Sequence, residues 1–171
     1  MTIKYNNVFI EDAYTICGNY ENDGPLSKYF DKKYEKDLYF GEKSWEQAEV
    51  HLLKEANINI LKKNKLKEED IDLLISGDLQ NQIAASNYMA REFNIPFLGI
   101  FEACSTSGEG LAIGSTYIEG GFAKKILVST SSHNMAAEKQ FRNPTEYGTP
   151  KPKTATFTST GGVSILLSNK K

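Results

Sequence analysis

Apolar positions recur every three to four residues between 44 and 62, where Trp45, Ala48, Leu52, Ala56 and Ile60 form one stripe, and this spacing predicts a helix. Ser44 stands at its start with Gln47 three residues on, the pattern of a capping box. His51 falls inside this helix and reads as an ordinary helical histidine. The interval returns over residues 83–93 in Ala84, Asn87, Tyr88 and Arg91, and Pro96 stops its continuation. Residues 107–120 carry Leu111, Gly114, Tyr117 and Ile118 at helical spacing in a Gly- and Ala-rich stretch, which predicts a buried helix lying close to its neighbour. Strand formers cluster over residues 7–14, 71–78, 97–103 and 126–130, and residues 154–168 read as two strand halves parted or bulged at Gly161 and Gly162. Residues 18–25 supply turn formers and predict a loop. The alternation of strand and helix predicts an α/β fold, a mostly parallel sheet with covering helices. Residues 134–153, with Pro144, Gly148, Pro150 and Pro152, break the rhythm and are expected to be an irregular excursion.

Length and composition narrow this picture without changing it. A chain of 171 residues fits one average domain, and its 40% hydrophobic and 25% charged residues exclude a wholly disordered chain. Twenty Lys and Arg face 22 Asp and Glu, for a formal charge of -2, so no global field steers the surface toward nucleic acid or an anionic membrane. The charge-dense stretch between Lys32 and Asp70 is balanced in sign and reads as solvated helix surface. Cys17 and Cys104 form no disulfide framework and no four-ligand metal set, which points to a reducing compartment. The polar start, with Lys4, Asn6, Asn7, Glu11 and Asp12, has no secretory-signal pattern, and no apolar run is long enough to span a bilayer. Any membrane contact is expected to be peripheral.

Three residues carry candidate chemistry because each follows an expected strand. Cys104 lies between the strand at 97–103 and the small-residue helix, where the free backbone donors of a helix start receive an oxyanion or a carboxylate. His133 follows the strand at 126–130 and is suited to act as a base or to donate to a ligand carboxylate. Asp78 ends the strand at 71–78 and is suited to orient a histidine or accept from a hydroxyl. Each has a plainer alternative: a space-filling cysteine, a loop histidine and a turn-capping aspartate. No His-Glu-x-x-His pattern or cysteine pair points to a metal, and Gly108, Gly110 and Gly114 lack the spacing and lysine of a phosphate loop.

The segment Ile100-Phe-Glu-Ala-Cys-Ser-Thr-Ser-Gly-Glu-Gly-Leu-Ala112 resembles a thiolase-like nucleophile region. Tyr117-Ile-Glu-Gly-Gly-Phe-Ala-Lys-Lys-Ile-Leu-Val-Ser-Thr-Ser-Ser-His133 extends the likeness. With Ser76-Gly-Asp-Leu-Gln-Asn-Gln82, the chain is similar to the amino-terminal half of the stage V sporulation protein AD family over nearly its whole length. That resemblance implies a five-stranded mixed sheet with helices in layers, making residues 1–171 one half of a longer protein of two similar halves. It implies non-enzymatic binding of dipicolinic acid, alone or as its calcium chelate, during uptake into the developing spore. Asp78, Cys104 and His133 would line the ligand pocket, with backbone contacts from Ser105, Thr106 and Ser107 and no protein-held metal or required cofactor. Ionised Asp78 would repel a dicarboxylate directly, so it is expected to orient His133 or to act through calcium or water. The implied partners are the missing carboxyl-terminal half, other spore membrane channel proteins of the same complex, or a second copy in a homodimer, with no nucleic acid. The implied place is the spore or forespore, peripheral to the inner membrane. Two other readings stay open: an acyltransferase with Cys104 as acyl acceptor, lacking partners that the second half supplies, and an interaction-only thiolase remnant.

Overall fold

A computed structural model of the protein describes residues 2–141, 154 and 156–170. Its strands are β1 (Phe9–Cys17), β2 (Lys32–Lys33), β3 (Leu73–Gly77), β4 (Phe97–Gly99), β5 (Lys125–Ser132) and β6 (Gly161–Ser168). Its helices are α1 (Asn19–Asn22), α2 (Trp45–Lys63), α3 (Ala84–Ala90), α4 (Thr106–Glu119) and α5 (Asn134–Phe141). The strands form one sheet in the order β2-β1-β6-β5-β3-β4. β3 runs parallel to both β4 and β5, while β6 lies antiparallel between β5 and β1, so the sheet is mixed. Five strands make the expected sheet, and the two-residue β2 adds a sixth at the edge by pairing with Ile16 and Cys17.

Period-two alternation divides the core between the two faces of the sheet. Leu74, Leu127 and Leu166 turn to one side, where Leu53 and Ile60 of α2 and Met89 of α3 cover them. Ile75, Val128 and Leu167 turn to the other, where Ile118 of α4 packs. A third cluster joins Ile16 to Ala48, Leu52 and Ala56 of α2 and to Phe40. α2 starts where the spacing places it: the Ser44 side chain accepts from the Gln47 N–H at 3.2 Å, and Lys62 and Lys63 complement the dipole in the last turn.

Three expectations change. Residues 134–141 form α5 instead of an irregular stretch, and residues 142–153 lie outside the described residues. β6 is one strand that begins at Gly161, not two halves bulged there, because Gly161 and Gly162 pair in register with Cys17 and Ile16 of β1 and with Ser132 and Ser131 of β5. Gly162 lets α2 pass close to β6, since a Cβ would sit 3.1 Å from the Leu52 carbonyl oxygen. Part of the expected loop at 18–25 closes into the single turn of α1.

Candidate functional site

Parallel pairing brings the carboxyl ends of β3 and β5 to the same edge of the sheet, and α4 begins beside them. Open α/β sheets bind ligands at such edges. A cleft of about 760 Å³ opens there, lined by Gly77, Asp78, Cys104, Ser107, Thr130 and Ser131, with Phe30, Thr158 and Gly161 among its other walls. Gly77 lets the loop before α4 cross the strand end: a Cβ there would lie 2.3 Å from the Ile100 carbonyl oxygen.

Cys104 is exposed on the cleft wall, inside a 3-10 turn formed by Ala103–Ser105 that leads directly into α4. The preceding Ala103 takes a left-handed backbone at φ 46°, a conformation costing on the order of 1–3 kcal/mol for a non-glycine residue. Strain of that kind collects at sites where a side chain must be aimed. The adjoining hydroxyls divide their roles. Ser105 donates to the Glu102 carbonyl at 2.9 Å and Thr106 donates to the Ala103 carbonyl at 2.8 Å, so both tie the turn together. Ser107 instead meets Thr130 of β5 at 2.8 Å, and this hydroxyl pair faces the cleft.

Asp78 reaches the cleft wall, but its carboxylate holds the backbone. One oxygen accepts from the Gln80 N–H at 2.9 Å and the other from the Ser86 N–H at 2.7 Å, fixing the turn between β3 and α3. His133 is not on the wall at all. Its side chain is 0% exposed, Nε2 donates to the Leu38 carbonyl at 2.8 Å, and Nδ1 accepts from the Ala136 N–H at 3.4 Å. Burial pushes its pKa below the ordinary histidine value and keeps the ring neutral. His133 caps the start of α5, the helix that the sequence reading left as loop, and Asp78 and His133 hold separate backbone partners. The structure therefore gathers Asp78, Cys104 and Ser107 around the cleft and sends the His133 ring into the interior. Ser131 of β5, two residues earlier, lines the wall beside Thr130 and Ser132.

Behind Ser131 lies a residue the sequence reading passed over. Glu49 of α2 is 0% exposed, accepts from the Ser131 hydroxyl at 3.0 Å and from the Gln80 amide at 2.9 Å, and has the His133 backbone N–H as a further partner. Burial, with a smaller contribution from the nearby charge of Asp78, pushes its pKa up to about 7. The signal was present: Glu49 sits beside Ala48 on the stripe that Leu52, Leu53 and Ala56 continue, where a charge needs partners. Among the described residues, no three His, Cys, Asp or Glu side chains group to hold a metal ion, and no helix is long and apolar enough to cross a membrane.

The mixed sheet with helices on both faces and the cysteine-bearing turn before α4 give a thiolase-like α/β fold. OleA of Xanthomonas campestris shares the fold with a TM-score of 0.64 at 14% identity, over 96% of this chain and 56% of that one. The 3-oxoacyl-[acyl-carrier-protein] synthase III of Aquifex aeolicus VF5 does so with a TM-score of 0.57 at 18% identity, over 95% and 51%. The chain belongs to the stage V sporulation protein AD family, whose pattern it matches over residues 1–171. It is 51% identical to stage V sporulation protein AD of Bacillus subtilis across 161 residues, 94% of this chain and 47% of the relative. The chain thus spans about half the length of the proteins it matches.

Proposed function

We propose that this chain is the dipicolinic-acid-binding half of a sporulation protein, acting without catalysis while the acid enters the developing spore. The observation that carries the reading is the cleft beside Cys104, whose wall carries the paired hydroxyls of Ser107 and Thr130 next to the amino end of α4. Two carboxylates need donors, and these hydroxyls stand at the positive end of a helix dipole, whereas the Ser105 and Thr106 N–H groups, expected as contacts, are taken by the Glu102 and Ala103 carbonyls. A thin aromatic ring needs a flat wall, and Phe30, Gly161 and Gly162 are among the lining residues. Asp78 sets the turn beneath, and His133 acts as a positioning residue through the backbone that follows Ser131 and Ser132. Calcium, where it travels with the acid, would be held by the chelate itself. The membrane complex of the spore and a carboxyl-terminal half are the partners this reading requires.

Calorimetry with dipicolinate on the full-length protein tests the reading. Cys104→Phe, which fills the cleft mouth, and Thr130→Val, which removes a donor, should each weaken binding about tenfold or more. Unchanged affinity in both folded variants would sink the assignment. One observation favours a second reading: Cys104 is exposed behind a strained Ala103, in a fold shared with an acyl-condensing synthase. A substrate-derived acyl adduct on Cys104 that loads and then discharges to an acceptor, seen by mass spectrometry, would replace binding with transfer.

A further inference from the structure

Glu49 and Ser131 form a two-member chain from the interior to the cleft. Ser131 lines the cleft, and its hydroxyl lies 3.0 Å from Glu49 Oε1, so one proton decides which way that hydroxyl points. With Glu49 ionised, the Ser131 hydroxyl donates inward and only its lone pairs face the cleft, which repels an anion. With Glu49 protonated, its own O–H donates to Ser131 Oγ, and the Ser131 hydroxyl turns its hydrogen outward to a ligand carboxylate. The second oxygen, Oε2, keeps the Gln80 amide as donor at 2.9 Å in both states, so neither leaves a buried group unpaired.

We propose that Glu49 is a proton-linked positioning residue that takes up one proton when a dicarboxylate enters the cleft and releases it when the ligand leaves. The inference rests on the dipicolinate reading above and adds regulation of that same site. The surroundings favour the exchange. Asp78, from the turn after β3, is the negative neighbour of Glu49, and Gln80 and Ser131 supply its side-chain donors. After β5, the His133 backbone N–H faces it while the His133 ring stays neutral. On its own helix Glu46 is turned to Lys139 of α5, at 2.7 Å, and among the described residues no cation pairs with Glu49. A bound anion adds negative charge beside a fully buried carboxyl and draws off its Ser131 donor, and both changes favour the protonated acid.

Affinity should therefore be flat on the acid side and fall about tenfold per pH unit once the pH exceeds the Glu49 value, between roughly pH 6 and pH 8, where both dipicolinate carboxylates stay ionised. Calorimetry of the full-length protein with dipicolinate, in buffers of differing ionisation enthalpy near neutral pH, should register uptake of roughly half a proton per ligand. Glu49→Gln, whose amide donates permanently to Ser131, should bind without pH dependence at the tight level. Ser131→Ala, which removes the hydroxyl that reports Glu49 to the cleft, should weaken binding and lessen the slope, leaving only the ligand's charge to act on Glu49. Binding with no proton uptake and no pH slope overturns this proposal and leaves the dipicolinate reading standing, as does a slope retained in Glu49→Gln or an undiminished one in Ser131→Ala. No binding at any pH overturns both.

Discussion

The two long helices cover opposite faces of one sheet and do so in different ways. α2 presses Leu52, Leu53, Ala56 and Ile60 into the core and turns Lys54, Lys62 and Lys63 outward, a finished amphipathic helix facing water. α4 buries Thr106, Gly110, Gly114 and Ile118, one residue per turn, so the helix backbone sits directly on Val128, Ile75 and Leu167. Its other side exposes Gly108, Ala112, Thr116 and Tyr117, an uncharged surface that Tyr5 touches at the Ala112 carbonyl, 3.1 Å, and the Thr116 hydroxyl, 3.0 Å. One face of the sheet is closed by a solvent helix, and the other carries a helix with the outer surface of a middle layer. The cleft lies at the end of that second helix, so what covers α4 also borders the candidate site.

Truncation on the α2 side should do most damage. Leu53→Ala empties a fully buried place among Leu74, Leu127 and Leu166 and should cost about 2–5 kcal/mol in urea unfolding. A loss under 1 kcal/mol would mean that the face is not closed as described.

The next effect grows with pH. The Glu49 carboxyl has a folded pKa of about 7 against an ordinary 4.5, so the folded state holds a proton that the unfolded state has already released. Stability therefore falls as pH rises from the ordinary value through the folded one, and the deficit beyond it reaches about 3 kcal/mol. Glu49→Gln removes that deficit and should be the more stable protein above neutrality, with the gap closing toward acid pH in a series of urea titrations. A gap independent of pH would refute the raised value. His133 works the other way: held neutral by burial, it takes stability away as pH falls through the ordinary histidine range, where the unfolded state protonates first. Glu49→Gln leaves that acid loss in place.

What the sequence made legible follows from where the information is local. The α2 stripe, its Ser44 cap and the small-residue pattern of α4 are local, and each stands where the spacing puts it. Cys104 at a strand-to-helix turn is likewise a local statement. The edge strand Lys32–Lys33 has no pattern of its own and exists only because Ile16 and Cys17 offer a partner, so two residues of sequence hold no trace of it. His133 was misplaced for a related reason. The prolines in residues 134–153 hid the helix at its start, and without α5 there was nothing for the imidazole to cap. Asp78 reached the expected edge, but that its oxygens are taken by the N–H groups of Gln80 and Ser86 depends on the turn into α3, which strand spacing does not encode.

Two glycines of α4 divide its faces most finely. A Cβ at Gly110 would meet Val128 Cγ1 at 2.6 Å, so Gly110→Ala should lift the helix off the sheet and cost about 1–3 kcal/mol, partly offset by better helix propensity. At Gly108 nothing lies within 4 Å of the added carbon, so in this half alone Gly108→Ala gains only the propensity term and should stabilise by up to about 1 kcal/mol. If the full-length protein covers that side of α4, the added methyl there meets packed atoms. Urea titrations of both lengths decide the matter: stabilisation in the half with loss in the full-length protein is expected if the outer face of α4 is an internal contact. The same gain in both lengths would leave Gly108 facing solvent and the comparison between the two helices without its consequence.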